Sequence, residues 1–298
     1  MPYFHLVFTL PHTLNGWVQL HPDVIYRCLF AAVWDTFNQF GPNTRHLGGE
    51  LGMTAVLHTW GQNLSRHVHV HCLIPGGVLT GTGDWHKAKS HYLFPVRALS
   101  RRFRGRMVSL LRASSNAGEL HRVTHCGEVD GVLNGLMQQE WVVYTRPCLS
   151  QADTVVDYLA RYTHRIAISN GRLLSMDGDR ISFRYKDYRD GSQIKTQWLD
   201  GQEFVRRFLM HILPKGFMRI RHFGYLCNRT RRRKPAVIPA GERWKKGYLR
   251  GNLRGITTRN RLVKDRMRPK PADIASYLAP DVPFRSGLQI TLSLSIVR

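Results

Sequence analysis

The segment His67-Val68-His69-Val70-His71-Cys72 sets three imidazoles on alternate positions of an apolar run. An extended chain sends every second side chain to one face, so the three rings share a side. Val68, Val70 and Cys72, continued by Leu73 and Ile74, present the other side for burial. A lone histidine in a strand is ordinarily a satisfied core or edge residue. Three in strict alternation carry a desolvation cost that a bound cation would offset, and neutral imidazole is a metal ligand. The spacing predicts a metal site built on a sheet.

A second constellation is Tyr158-Leu159-Ala160-Arg161-Tyr162. Four residues of separation put two phenols on one helix face, one turn apart. Val155 and Leu159 lie near the same side, and by itself the spacing suits two core tyrosines. Arg161, His164 and Arg165 flank the phenols, either as favourable charge near a helix C-terminus or as groups that contact phosphates and ease phenol ionisation.

The elements that must position these residues follow from hydrophobic period and turn chemistry. Tyr3 to Leu10 reads as a central strand, with too few polar residues for a solvated face. Pro22-Asp23 opens a helix whose apolar positions run from Ile25 to Phe40, and Gly41-Pro42 closes it. Met53 to Trp60 and His67 to Ile74 read as neighbouring antiparallel strands joined by Gly61 to Arg66. From Phe94 to Ser114 a basic amphipathic helix carries six arginines (97, 101, 102, 104, 106 and 112) on its outer side without one acid, a pattern that favours phosphate contact over a merely solvated face. Trp141 to Thr145 reads as a strand. Ser150 with Asp153 resembles a capping box for a helix to about Arg165, the one that carries both tyrosines. Hairpin-like segments follow between Ile166 and Lys186, then a helix from Gly201 to Leu213.

Composition bounds the function. Against 20 acids the 298-residue chain has 44 Lys+Arg, a formal charge of +24 that fits a polyanionic partner, nucleic acid by default. No stretch approaches the ~18 consecutive apolar residues of a membrane span, and Met1 to Leu20 lacks a signal-peptide pattern, so a soluble cytoplasmic protein is expected. Its five cysteines are widely spaced, with no Cys-x-x-Cys pair, which argues against a disulfide framework and a zinc ribbon. Between Arg229 and Lys270 there are 16 Lys+Arg against 2 acids, a net +14, and few periodic apolar positions. The chain therefore divides into a core over residues 1–230 and a basic, flexible tail over 231–298. Only Gln289 to Val297 regains β-like alternation.

A His-hydrophobe-His strand followed by a Tyr-x-x-x-Tyr helix resembles the HUH endonucleases, in particular the two-tyrosine transposases of bacterial rolling-circle insertion sequences. Tyr3 through His12, Leu47-Gly48-Gly49-Glu50, His58 through Leu64, the histidine strand, Tyr158 through Asn170 and Gly216 through His222 are similar to landmarks of that family, so the likeness spans about residues 2 to 230. Members normally carry a cysteine-rich zinc-binding segment ahead of the position where this chain starts, and the sequence reads as a copy without it.

The resemblance implies an α/β (α+β) fold with a central, mainly antiparallel sheet flanked by helices. It implies a transposase core that nicks and rejoins single-stranded DNA at insertion-sequence ends through a 5′-phosphotyrosine. Tyr158 and Tyr162 would be the catalytic residues, and Arg161, His164 and Arg165 would contact nucleic acid. His69 and His71 would ligate a divalent cation, Mg²⁺ or Mn²⁺, with His67 or Gln62 as third ligand. Three imidazoles by themselves suit zinc or manganese better than magnesium. The host replication machinery is a candidate partner, and a bacterial cytoplasmic, nucleoid-associated location is implied. Two alternatives stay open: a plasmid-type replication initiator or relaxase, and a truncated, non-catalytic protein that binds single-stranded DNA.

Overall fold

The computed structural model of the protein describes residues 3–39, 47–88, 95–123, 126–146, 167–188 and 190–228. Along the chain run β1 (Tyr3–Thr9), α1 (Asn15–Leu20), α2 (Pro22–Asn38), β2 (Gly52–Trp60), β3 (Arg66–Pro75), β4 (Gly77–Leu79) and β5 (Trp85–Lys87). They are followed by α3 (Val96–Asn116), α4 (Cys126–Gln138), β6 (Val143–Arg146), β7 (Leu173–Asp177), β8 (Arg180–Asp187), β9 (Gln193–Asp200), α5 (Gly201–Leu209) and β10 (Ile220–Gly224). The expected helix bearing Tyr158, Arg161, Tyr162, His164 and Arg165 lies outside the described residues, as does the tail over 231–298.

The main sheet has the order β10-β2-β3-β1-β6, and every pairing is antiparallel. Phe4, Leu6 and Phe8 of β1, with Val68, Val70, Cys72 and Ile74 of β3, face the helices and form the centre of the core. Period-two alternation produces that face, and α2 and α3 cover it with Ile25, Leu29, Val33, Phe37, Leu99, Phe103 and Met107 at helical spacing. Phe8 is the hub: its ring meets Phe37 and Phe103 edge-on at 5.4 and 5.0 Å. This is the mixed α/β architecture, antiparallel sheet flanked by helices, that the sequence predicts.

A second sheet, β7-β8-β9, packs with α5 around Phe183 and Leu199, and its small core takes in Leu64 and Trp60 from the β2–β3 region. Strand β10 closes the edge of the main sheet beyond β2. There Gly224 has φ +60° and its α-carbon lies against the Leu51 carbonyl, where an L side chain would collide.

The arginines of α3 correct one sequence expectation in part. Arg106 pairs with Asp35 of α2 at 2.6 Å, Arg112 with Asp130 of α4 at 3.2 Å, and Arg104 donates to the Gln139 carbonyl at 2.5 Å. For Arg106 and Arg112 the missing acids come from the neighbouring helices, and Arg104 holds the chain just past α4, so these three arginines make contacts within the fold rather than await phosphate.

Candidate metal centre

Strand β3 lies at the middle of the main sheet, and register decides what surrounds its histidines. On one side Val7 stands opposite His71 and Thr9 opposite His69; on the other, Val56 stands opposite His71 and His58 opposite His69. Residues directly opposite in an antiparallel pair share a face. His5, His58, His69 and His71 therefore stand together on the face turned away from the helices.

The local chain geometry is specific. Between His58 and Trp60 the register shifts, and Trp60 comes opposite Arg66. A bulge re-aims side chains, and here the Trp60 ring stacks on His58 with centroids 5.0 Å apart and planes at 13°. The connecting turn is held by the Gly61 N–H on the Ser65 carbonyl, 2.9 Å, and by the Ser65 hydroxyl donating to Asn63 Oδ1, 2.6 Å. Leu64 is fully buried there at φ +61°, an unusual conformation that survives because its side chain is locked in the second core.

Among the described residues, His58, His69 and His71 are the three whose ring nitrogens gather within 4.8 Å of one another. Ligands on a tetrahedral ion at the usual Zn–N bond length are about 3.4 Å apart, so small side-chain rotations close this set onto one cation. Two of the rings are already oriented. His69 Nδ1 donates to the His67 carbonyl at 2.8 Å, which leaves Nε2 with its lone pair. His71 Nδ1 lies 2.9 Å from His5 Nε2, and donation in that direction leaves His71 Nε2 with a lone pair that could serve as a second ligand.

Electrostatics favour the ligand form. Burial first, then the neighbouring His58 and His67, pushes His69 down to about 3. His71 is depressed further by burial, by His69, His58 and His5, and by the guanidinium of Arg219. Both rings are neutral near pH 7, as metal binding requires. The donor set fits a divalent cation, with imidazole chemistry that suits manganese or zinc better than magnesium.

His69 and His71 are thus brought together as the sequence predicts. His67 flanks the group, its ring 4.9 Å from His69 and 5.5 Å from His12, but stands outside the gathered trio. Gln62 sits in the β2–β3 turn, where its carbonyl accepts from Arg172. His58 and His5 were not singled out as site residues by the sequence. The usable signal was antiparallel register: a strand pairing across a short turn puts a histidine of β2 beside those of β3. Tyr158, Tyr162, Arg161, His164 and Arg165 lie outside the described residues.

A family described as "Putative transposase" (Y2_Tnp) matches residues 52–234, more than half of the chain. The chain is 42% identical over 241 residues to "Putative transposase y4qJ" of Sinorhizobium fredii (strain NBRC 101917 / NGR234), covering 78% of this chain and 61% of that protein. It is 28% identical over 249 residues to "Transposase for insertion sequence element IS801" of Pseudomonas savastanoi pv. phaseolicola, covering 77% of this chain and 55% of that protein. The chain thus spans less than two thirds of either relative's length.

Proposed function

The chain belongs to the Y2_Tnp family, described as "Putative transposase", and from that premise we propose that it is the core of a transposase that nicks and rejoins single-stranded DNA. The observation that carries the reading is the gathered trio His58, His69 and His71 on the sheet face opposite the core, with the His69 and His71 rings held by hydrogen bonds. The resemblance to two-tyrosine HUH nucleases supplies the rest of the chemistry.

In this reading residues 1–230 form the nuclease core. The phenolate oxygen of Tyr158 or Tyr162 attacks the scissile phosphorus and forms a phosphotyrosine on the 5′ end. The 3′ oxygen leaves and takes a proton to become a free hydroxyl. A phenol with its ordinary pKa near ~10 is a poor nucleophile at neutral pH, so the site must steady the developing charge. A divalent cation held by His58, His69 and His71 would neutralise charge on the phosphate. His5 and the His67 carbonyl keep the two β3 rings aimed. Two phenols allow one to hold the cleaved end while the other attacks the next junction. Insertion-sequence ends are the proposed substrate, with host replication supplying the displaced strand in the bacterial cytoplasm.

Covalent capture tests this. The protein is incubated with end-labelled single-stranded DNA and Mn²⁺ or Mg²⁺, then denatured. A labelled adduct that survives denaturation, needs the cation, and disappears in Tyr158→Phe/Tyr162→Phe is expected. A shift seen only under native conditions would instead favour a binder without cleavage.

A further inference from the structure

Arg219 leads into β10 and is pinned to β2 twice. Its carbonyl accepts from the Leu57 N–H at 3.0 Å, and its Nε donates to the Leu57 carbonyl at 2.9 Å. The guanidinium carbon lies 4.7 Å from the centre of the Trp60 ring, the ring that stacks on His58. Its charge reaches the cluster, because it contributes to the depression of His71. The Nη2 atom is buried and has no hydrogen-bond partner among the described residues.

A guanidinium stays protonated at any ordinary pH, and its planar fork of donors matches the oxygens of a phosphate. Withdrawing such a group from water is costly until an anion completes its hydrogen bonds. Arg106 and Arg112 on α3, both with exposed side chains, are nevertheless paired with Asp35 and Asp130. Arg219 has no carboxylate within ion-pair distance among the described residues, although it is fixed on both its carbonyl and its Nε. A half-buried guanidinium held rigidly near the histidine cluster, with no acid beside it among the described residues, lacks the anion that such a charge ordinarily pairs with.

We propose that Arg219 is a phosphate-binding residue of this site, its guanidinium donating to a non-bridging oxygen of a single-stranded DNA backbone phosphate laid beside His58 and Trp60. The assignment rests on the DNA reading above but not on the cation. Cation–π contact with Trp60 and the bond to Leu57 fix where the phosphate sits, and hence which phosphate faces the histidines.

The test is binding of a fluorescein-labelled oligothymidylate by the full chain, followed by anisotropy across a salt series in chelator. Arg219→Gln is expected to weaken binding about 10-fold, the loss of one charged hydrogen bond, and to reduce the salt slope by roughly 0.7, the value for one phosphate on a single strand. Arg219→Lys should keep the slope but weaken binding at least about threefold, because a point charge lacks the fork. Wild-type affinity and slope in Arg219→Gln would overturn the assignment. If that variant loses its far-UV circular dichroism, Arg219→Lys decides, and wild-type affinity there overturns it equally. Manganese uptake, read by electron paramagnetic resonance, separates the two readings. His69→Ala/His71→Ala should lose the ion and keep the slope that depends on Arg219. An unaltered slope in Arg219→Gln beside normal ion uptake and cleavage sinks Arg219 alone.

Discussion

His5 Nε2 lies 2.9 Å from His71 Nδ1, and the two rings meet edge to edge, nearly coplanar at 7°, with centroids 5.2 Å apart. The pair spans β1 and β3, so the strand that builds the core on its other face also aims a candidate ligand on this one. A ligand histidine whose second nitrogen is held this way keeps one tautomer and one orientation.

Replacing His5 by Leu keeps a side chain of similar bulk beside His71 and removes the nitrogen. Manganese affinity should fall about 10–100-fold, the usual cost of losing such a partner, with little change in Tm. Titration followed by electron paramagnetic resonance checks it; wild-type affinity would mean that His71 is aimed by packing alone.

His58→Ala and His67→Ala separate the gathered trio from the run of alternating histidines. The first removes a ring nitrogen from the set within 4.8 Å, the second does not. Ion uptake should be lost in His58→Ala and largely kept in His67→Ala. The reverse pattern would return the third position to β3.

These two variants also mark where the sequence stops being legible. Alternation alone exposed β3, because both faces of that strand carry a signal: imidazoles on one, Val68, Val70 and Cys72 on the other. It could not expose His58, whose place depends on the length of the 61–65 turn and on the bulge before Trp60. Helix α4 escaped because Gly127, Gly131 and Gly135 recur at every fourth position and lower the local helical preference; packing of Val129, Leu133 and Leu136 overrides it. Strand β9 escaped because its apolar Ile194 and Trp198 face solvent, 73% and 44% exposed. The ion pairs of α3 were invisible for the same kind of reason, since the acids lie on α2 and α4.

The glycines of α4 yield a stability prediction with a definite sign. A Cβ added at Gly131 or Gly135 meets nothing within 4 Å, and neither residue needs a positive φ. Gly131→Ala and Gly135→Ala should each raise stability by about 0.5–1 kcal/mol, through helix preference and a less disordered unfolded chain. Urea midpoints at unchanged m-value measure this; no gain would place α4 outside the cooperative unit.

His211 makes acid stability testable away from the ligands. It is buried, with Nε2 donating to the Leu64 carbonyl at 3.1 Å and Nδ1 positioned 3.3 Å from the Thr59 hydroxyl. Burial, more than the nearby Arg66, holds its pKa below the ordinary 6.5. Above 6.5 neither the folded nor the unfolded form carries the proton. As pH falls below that value the unfolded chain takes it up first, so stability is progressively lost towards the folded pKa. His211→Gln keeps a donor for Leu64 and cannot titrate. Its urea midpoint should fall less than that of the wild type between about pH 7.5 and 5.5; equal falls would assign the acid sensitivity to other histidines.

The basic stretch beyond the core gives the last prediction. Residues 229–270 hold a net +14 of the chain's +24, and we propose that this charge attracts phosphates without reading bases. Removing residues 231–298 should then weaken binding to every single strand alike. It should also flatten the salt dependence by roughly 0.7 per lost phosphate contact. Discrimination between element ends and random sequence should survive, because that selection is assigned to the folded core, where the histidines stand on paired strands and Arg219 leads into β10. Affinities measured at several salt concentrations on both kinds of DNA decide it. Lost discrimination at an unchanged slope would mean that the basic stretch itself reads sequence, and the division between a selective core and an electrostatic tail would have to be abandoned.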